Sequence, residues 1–219
     1  MKLKYDFHLH SCLSPCGDND MTPYNLVIVE HLLLAQHVEQ AGITVVPGME
    51  LCTAEEIHTV CLFPTLEKAL EFSEYVKTTM PPIKNDESIF GNQYIMDETD
   101  QILGNEEILL TTASGISIDD VVSEVAKYDG AVFPAHLDRA SYSVLSVLGF
   151  MYPEMNFTCA EFTHKAYIPQ YEEKHELLKG MKHLRNSDAH YLENMVEANC
   201  EIDIPECTAQ AVVDYILGK

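Results

Sequence analysis

The strongest chemical signal in the sequence is a pair of histidines near the N-terminus. His8 and His10 are separated by one residue. Because alternate residues of a β-strand point to the same face, both imidazoles would project to one side. Two imidazoles held in this way suit a single divalent ion, and Asp6, which has the same parity, is a candidate for orienting one ring. A His-x-His pair alone is more often an ordinary polar pair, so the metal interpretation depends on the rest of the chain.

Carboxylates and further histidines follow later in the chain. Glu50 lies in a Gly-Met-Glu turn and could bridge two ions, and Asp188 and His190 repeat the two-residue spacing. His136 fits either a ligand or a core or capping residue. His58 fits either a ligand or an exposed edge residue. At the level of single residues these alternatives stay open.

The elements that must position these side chains alternate between strands and helices. Strands are predicted at 3–7, 43–46, 57–63, 131–134, 158–162, 183–186 and 200–204, and helices at 22–41, after Thr65, after Ser117, near 144–148, near 171–178 and at 208–217. Residues 83–115 have no readable pattern. The alternation predicts an α/β fold with a mainly parallel sheet. Polar residues lie at the ends of several predicted strands: His8, His10, Glu50, His136, Glu161, Asp188 and His190. In a closed barrel such strand ends converge on one face.

Composition limits the class of protein. The chain has 219 residues, of which 47% are apolar, so we expect a single folded domain spanning residues 1–219. It has 35 acidic and 13 basic residues, a net charge of −22, which repels phosphate backbones and argues against long nucleic acid as a partner. The absence of a long apolar stretch or signal-peptide core predicts a cytoplasmic protein that does not enter membranes. Seven cysteines without zinc-finger spacing indicate mostly reduced, buried thiols.

Together these motifs resemble the PHP family (polymerase and histidinol phosphatase). Five segments occur in matching order over most of the chain: DFHLHS at 6–11, GME at 48–50, EIH at 56–58, PAH at 134–136 and SDAH at 187–190. The resemblance implies a distorted, TIM-like barrel of mainly parallel strands with outer helices. It also implies phosphoester hydrolysis with two or three divalent ions (Zn, Mn or Fe). The ligands it implies, position by position, are His8, His10, Glu50, His58, His136, Asp188 and His190, with Glu50 as the bridging carboxylate.

Two features depart from the family pattern. Cys16 stands where many members have a further histidine, and it fits either a thiolate ligand of zinc or a structural thiol. The Thr-Asp-His-like motif that members usually carry before the Gly-x-Glu turn is absent. We therefore expect the barrel to lack one strand–helix unit between residues 22 and 42. Either the protein lacks that unit or the sequence joins segments across an absent piece.

The function that best unites these residues is hydrolysis of a small phosphate ester through a metal-bound hydroxide. His190 would bind a third ion or act as the catalytic acid near the leaving oxygen. Arg139 and Lys165 are candidates for contacts to the substrate phosphate, with Arg139 also a catalytic candidate; a surface salt bridge is the alternative for each. Two other functions are considered: a catalytically impaired metal- or nucleotide-binding module, and an amidohydrolase-type enzyme.

Overall fold

A computed structural model describes residues 1–27, 43–195 and 200–219 of the chain. The strands of this part are β1 (Lys2–Lys4), β2 (Gly48–Cys52), β3 (His58–Leu62), β4 (Tyr94–Met96), β5 (Ile102–Asn105), β6 (Ala131–Pro134), β7 (Cys159–Glu161), β8 (Lys182–Leu184) and β9 (Glu201–Asp203). The helices are α1 (residues 23–27), α2 (Leu66–Thr79), α3 (Glu87–Phe90), α4 (Val121–Ala126), α5 (Val144–Val147), α6 (Ile168–Lys174) and α7 (Ala209–Ile216). Short 3-10 helices lie at Pro153–Met155, Lys165–Tyr167, Glu176–Gly180 and Leu192–Asn194. None of the described helices has the length and apolar character needed to cross a bilayer.

The prediction of a TIM-like barrel of mainly parallel strands is wrong. The described strands form four small sheets that do not close, and β1–β9, β2–β3–β6 and β4–β5 are antiparallel, whereas β7–β8 is parallel. The connection between β2 and β3 explains much of the difference. It comprises only residues 53–57, and a parallel crossover needs about a dozen residues or more. The two strands therefore form a hairpin, and Glu56 adopts a left-handed φ of 61° in its turn.

Local predictions on either side of this hairpin have mixed outcomes. The predicted strand at 43–46 is wrong, since these residues form no strand, Val45 is 67% exposed, and the strand begins at Gly48 instead. The helix starts after Thr65 and Thr208 are confirmed, because each threonine side chain caps the first turn of its helix. The predicted helix at 22–41 is described only at 23–27. Its remainder, and the expected loss of a strand–helix unit, lie outside the described residues.

The central β2–β3–β6 sheet is buried on both faces. Successive residues of a strand point to opposite faces, and along β3 Val60 and Leu62 join one apolar cluster while Cys61 joins the other. The first cluster contains residues of β9 and α7, and the second contains residues of α2 and α4. Because both faces are fixed by packing, the register of β2 and β3, which sets the positions of Glu50 and His58, is strongly specified.

Candidate metal centre

Two backbone hydrogen bonds place the first and last motifs side by side. The amide of His10 donates to the carbonyl of Ala189 at 3.0 Å, and the amide of Asp188 donates to the carbonyl of His8 at 2.9 Å. They form an isolated parallel bridge between Leu9 and Ala189. The residues that flank each bridge position point to the same side. The repeated two-residue spacing thus produces one polar face from segments at opposite ends of the chain.

Glu50, on β2, lies at the centre of this face. Its Oε1 is 3.3 Å from Nε2 of His8, 2.8 Å from Nδ1 of His58 and 3.2 Å from Nε2 of His136. Its Oε2 is 3.2 Å from Nε2 of His10. One carboxylate therefore contacts four imidazoles, which is the arrangement that a bridging ligand requires.

Three overlapping groups of side chains in the described residues could hold a metal ion. The first group is His8, His10, Glu50 and Asp188; the second is Glu50, His58 and His136; the third is His10, Cys16 and His190. Within each group the ligand atoms lie within 4.8 Å of one another. All of the sequence-predicted ligands are brought together in these groups, and Cys16 is added to them.

The first group fits a divalent ion. Nε2 of His8 is buried without a hydrogen-bond partner, 3.3 Å from Oε1 of Glu50 and 3.3 Å from Oδ1 of Asp188. Nitrogen and oxygen ligands at about 2.05 Å in a tetrahedral arrangement are separated by about 3.3 Å. An ion bound between these atoms would therefore satisfy a buried ring nitrogen that otherwise lacks a partner.

Glu161 orients His8 from behind. Its Oε2 accepts a hydrogen bond from Nδ1 of His8 at 3.0 Å and from the backbone amide of His136 at 2.8 Å, and its Oε1 accepts one from Nδ2 of Asn186 at 2.5 Å. A carboxylate that is hydrogen-bonded to Nδ1 of a histidine orients the ring so that its Nε2 faces the candidate metal ligands. The orienting role predicted for Asp6 was wrong: Asp6 accepts hydrogen bonds from backbone amides instead. Sequence reasoning noted that Glu161 ends a strand but assigned it no role.

The electrostatics of the cluster favour bound positive charge. Burial lowers the pKa of His10, but the hydrogen bonds that its ring donates to Asp188, Cys16 and Glu50 outweigh this effect and raise the pKa to about 12. Burial likewise opposes ionisation of Glu50, yet hydrogen bonds from the imidazoles of His10, His136 and His58 hold its pKa well below its ordinary value. The pKa of His8 is raised well above its ordinary value, mainly by Glu161 acting against burial. The buried carboxylates thus favour positive charge at this position, and divalent ions would supply it.

The third group contains the residue that departs from the family pattern. Sγ of Cys16 lies 3.6 Å from Nδ1 of His10, and the rings of His10 and His190 stack with centroids 4.0 Å apart. Burial raises the pKa of the Cys16 thiol, but hydrogen bonds from His10 and His190 outweigh it and lower this pKa to about 5. The two neighbouring imidazoles therefore favour the thiolate form of Cys16.

The two basic candidates occupy different surroundings. The guanidinium of Arg139 is 44% exposed, lines the cleft beside the cluster and lies 2.6 Å from Oδ2 of Asp188. Lys165 lies exposed on a 3-10 helix, and within the described part of the chain no hydrogen bond or ion pair joins it to the cluster. An unpredicted residue, Tyr142, lines the same cleft, is 48% exposed and stacks on His58 with centroids 4.6 Å apart.

Comparison with known proteins identifies a similar fold in two solved structures. PfuEndoQ, a lesion-specific endonuclease from Pyrococcus furiosus, is similar over 100% of this chain and 56% of its own, with 15% sequence identity and a TM-score of 0.63. Endonuclease Q in complex with a 27-mer duplex substrate bearing an abasic lesion is similar over 100% of this chain and 57% of its own, with 15% identity and a TM-score of 0.58. This chain thus spans little more than half the length of either protein. No protein-family model and no curated protein matches it.

These similarities correct the expected partners. The acidic composition predicted no long nucleic acid as a partner, and the candidate ligands predicted a small phosphorylated substrate, but the two solved structures that share the fold are endonucleases, one of them in complex with a duplex substrate. The prediction was wrong because net charge describes the whole surface, whereas affinity for phosphates depends on the charge of the site itself.

Proposed function

We propose that this protein is a metal-dependent phosphodiesterase that cleaves DNA. The observation that carries the proposal is the position of Glu50, whose carboxylate contacts imidazoles of two adjacent ligand groups at 2.8–3.3 Å. Divalent ions held a few ångströms apart lower the pKa of water and stabilise charge on a phosphoryl group. The similarity to endonucleases supports phosphodiesters as the substrate class.

The chain's own residues have separate tasks in this proposal. His8, His10 and Asp188 would hold one ion and His58 and His136 another, and Glu50 belongs to both groups. Glu161 fixes the ring of His8 so that its Nε2 faces the site.

Arg139 and Tyr142 provide the substrate contacts. The guanidinium of Arg139 is paired with Asp188 and still 44% exposed, so it can also donate hydrogen bonds to a phosphate oxygen. The exposed ring of Tyr142 offers a stacking surface for a base next to the cleaved bond. No contact connects Lys165 with the cluster in the described residues, and its predicted role remains a prediction.

The net charge of −22 sets a condition on this activity. The overall field repels DNA, so binding must depend on local positive charge from the ions and from Arg139. We therefore expect DNA binding, and not only cleavage, to require divalent ions. A basic nuclease surface would instead bind DNA in the presence of a chelator.

A cleavage assay with labelled oligonucleotides tests the proposal. Duplexes with an abasic site, intact duplexes and single strands are incubated with protein loaded with Mn²⁺ or Zn²⁺. His58→Ala should reduce cleavage by at least about a hundredfold, because it removes a ligand whose ring contacts Glu50. His175→Ala, which changes a partly buried histidine outside the cluster, is the matched control.

Two outcomes would contradict the proposal. Protein that binds two ions yet cleaves none of these nucleic acids would favour the impaired binding module. Equal loss of activity in both histidine variants would show that the effect does not arise from the cluster.

A further inference from the structure

We propose that Cys16, His190 and Nδ1 of His10 form a separate, thiolate-containing site for a thiophilic divalent ion such as Zn²⁺. This inference rests on the metal dependence of the proposed function and adds a distinct ligand chemistry to it. The first two groups each include a carboxylate, whereas the third has two imidazoles and a thiol. Thiolate selects zinc over harder ions such as Mn²⁺ or Mg²⁺, which prefer oxygen ligands.

The spacing of the ligand atoms matches a zinc site. With a Zn–S bond of about 2.3 Å and a Zn–N bond of about 2.05 Å, a tetrahedral angle separates sulfur from nitrogen by about 3.6 Å. Sγ of Cys16 is 3.6 Å from Nδ1 of His10. In the absence of an ion the two atoms form a hydrogen bond, and their separation is the one that two ligands of a single ion require.

His190 is arranged to present its other ring nitrogen. Its Nδ1 donates a hydrogen bond to the backbone carbonyl of Asp188 at 2.9 Å. A ring nitrogen that donates to a carbonyl fixes the tautomer, and Nε2 is then the free ligand atom. The ring of His190 is also held against that of His10 by stacking. His190 is therefore oriented before any ion binds.

The loop that carries Cys16 is tightly closed. The amide of Asp18 donates to the carbonyl of His190 at 2.8 Å, which ties this loop to the last motif. A side chain at Gly17 would meet the carbonyl oxygen of Ser11 at 2.5 Å, so the loop can close in this way only with glycine there. The thiol is thus held beside His190 by backbone contacts.

His10 connects this site with the first group. Its Nε2 faces Glu50 and Asp188, while its Nδ1 faces Cys16. When ions occupy both groups, His10 binds each through a different ring nitrogen, and its ring protons leave to solvent. The third ion would then share a ligand with the first, as the first shares Glu50 with the second.

Cobalt substitution tests directly whether a thiolate binds the metal. Protein freed of metal by a chelator is titrated with Co²⁺, and the near-ultraviolet thiolate-to-cobalt charge-transfer band is followed together with the visible bands that any cobalt site gives. Wild-type protein should show the charge-transfer band. Cys16→Ser should lose it and keep the visible bands, and Cys207→Ser, which changes another exposed cysteine, should retain both. His190→Ala should weaken cobalt binding at this site by at least about tenfold.

The possible failures are distinguishable. Visible bands without a charge-transfer band in wild-type protein would overturn this inference alone, since Cys16 would then only accept a hydrogen bond from His10. A charge-transfer band that persists in Cys16→Ser would also overturn it, by assigning the thiolate to another cysteine. Absence of all cobalt bands would contradict the proposed metal-dependent function itself.

Discussion

Replacing Glu161 by glutamine tests how the cluster is held in place. Glu161 is 2% exposed and accepts three hydrogen bonds, from Nδ1 of His8, the amide of His136 and Nδ2 of Asn186. Glutamine has nearly the same shape but no charge, and one of its two terminal atoms is a donor. The substitution therefore removes the anionic partner of His8 and turns an NH₂ group toward a donor.

The expected magnitude follows from these contacts. Loss of the partner that orients a metal-binding histidine lowers metal affinity by about 10–100-fold, which corresponds to about 1.4–2.8 kcal/mol. The donor left without an acceptor costs a further 1–3 kcal/mol or so in the free energy of unfolding. We therefore expect weaker Mn²⁺ binding and a lower midpoint of thermal unfolding in the metal-free protein.

Isothermal titration with Mn²⁺ and thermal unfolding with a chelator measure the two effects separately. Glu154→Gln, which removes the charge of an exposed glutamate, is the control and should change neither. If Glu161→Gln bound Mn²⁺ within twofold of the wild type, Glu161 would not orient the ligand, and the geometric account of the first group would be wrong.

Three further predictions concern charge, packing and substrate. In metal-free protein the unfolding free energy in urea should peak between about pH 4.5 and 6.5. The raised pKa of His10 stabilises the fold fully below pH 6.5, its ordinary value, and this stabilisation decreases as the pH rises toward 12. The lowered pKa of Glu50 stabilises the fold above pH 4.5, and this stabilisation is lost on acidification. A peak above pH 8 would contradict this prediction. Gly130→Ala should cost about 1–3 kcal/mol in urea unfolding and leave cobalt binding unchanged, because its new carbon would lie 2.7 Å from a buried phenylalanine ring. Arg139→Ala should raise the KM for DNA about tenfold or more with the metal content retained, whereas Lys165→Ala should change the KM little, and the reverse order in steady-state assays would exchange their roles.

The ligand positions could be predicted from the sequence because they depend on local geometry. A two-residue spacing on an extended chain places side chains on one face wherever the segment lies. His8 with His10, and Asp188 with His190, therefore needed only a short bridge between Leu9 and Ala189 to form a cluster. The same locality explains the confirmed helix starts, since a capping threonine acts within its own first turn.

The sheet and the supporting contacts depend on distant residues and were missed. Glu161 contacts a histidine 153 positions away, so its role follows from tertiary packing. The hairpin of β2 and β3 was missed because the β-branched run at 43–46 was predicted to be the strand before Glu50. A β-branched run favours a strand only where it is buried, and Val45 is exposed, so the strand forms at β2 instead. Cys16 was ambiguous for a related reason, since its role depends on two histidines that only the folded chain brings beside it.

The three candidate metal groups of the cluster are coupled because they share ligands. Glu50 belongs to the first two groups and His10 to the first and third, so each ion would change the charge felt by the next. A chain in which the three groups were independent would need no shared residue. Because the groups share ligands, the loss of one ion should lower the affinity of the neighbouring group for its own ion. We therefore expect Cys16→Ser to lower the metal affinity of the first group modestly, although Cys16 is not one of its ligands.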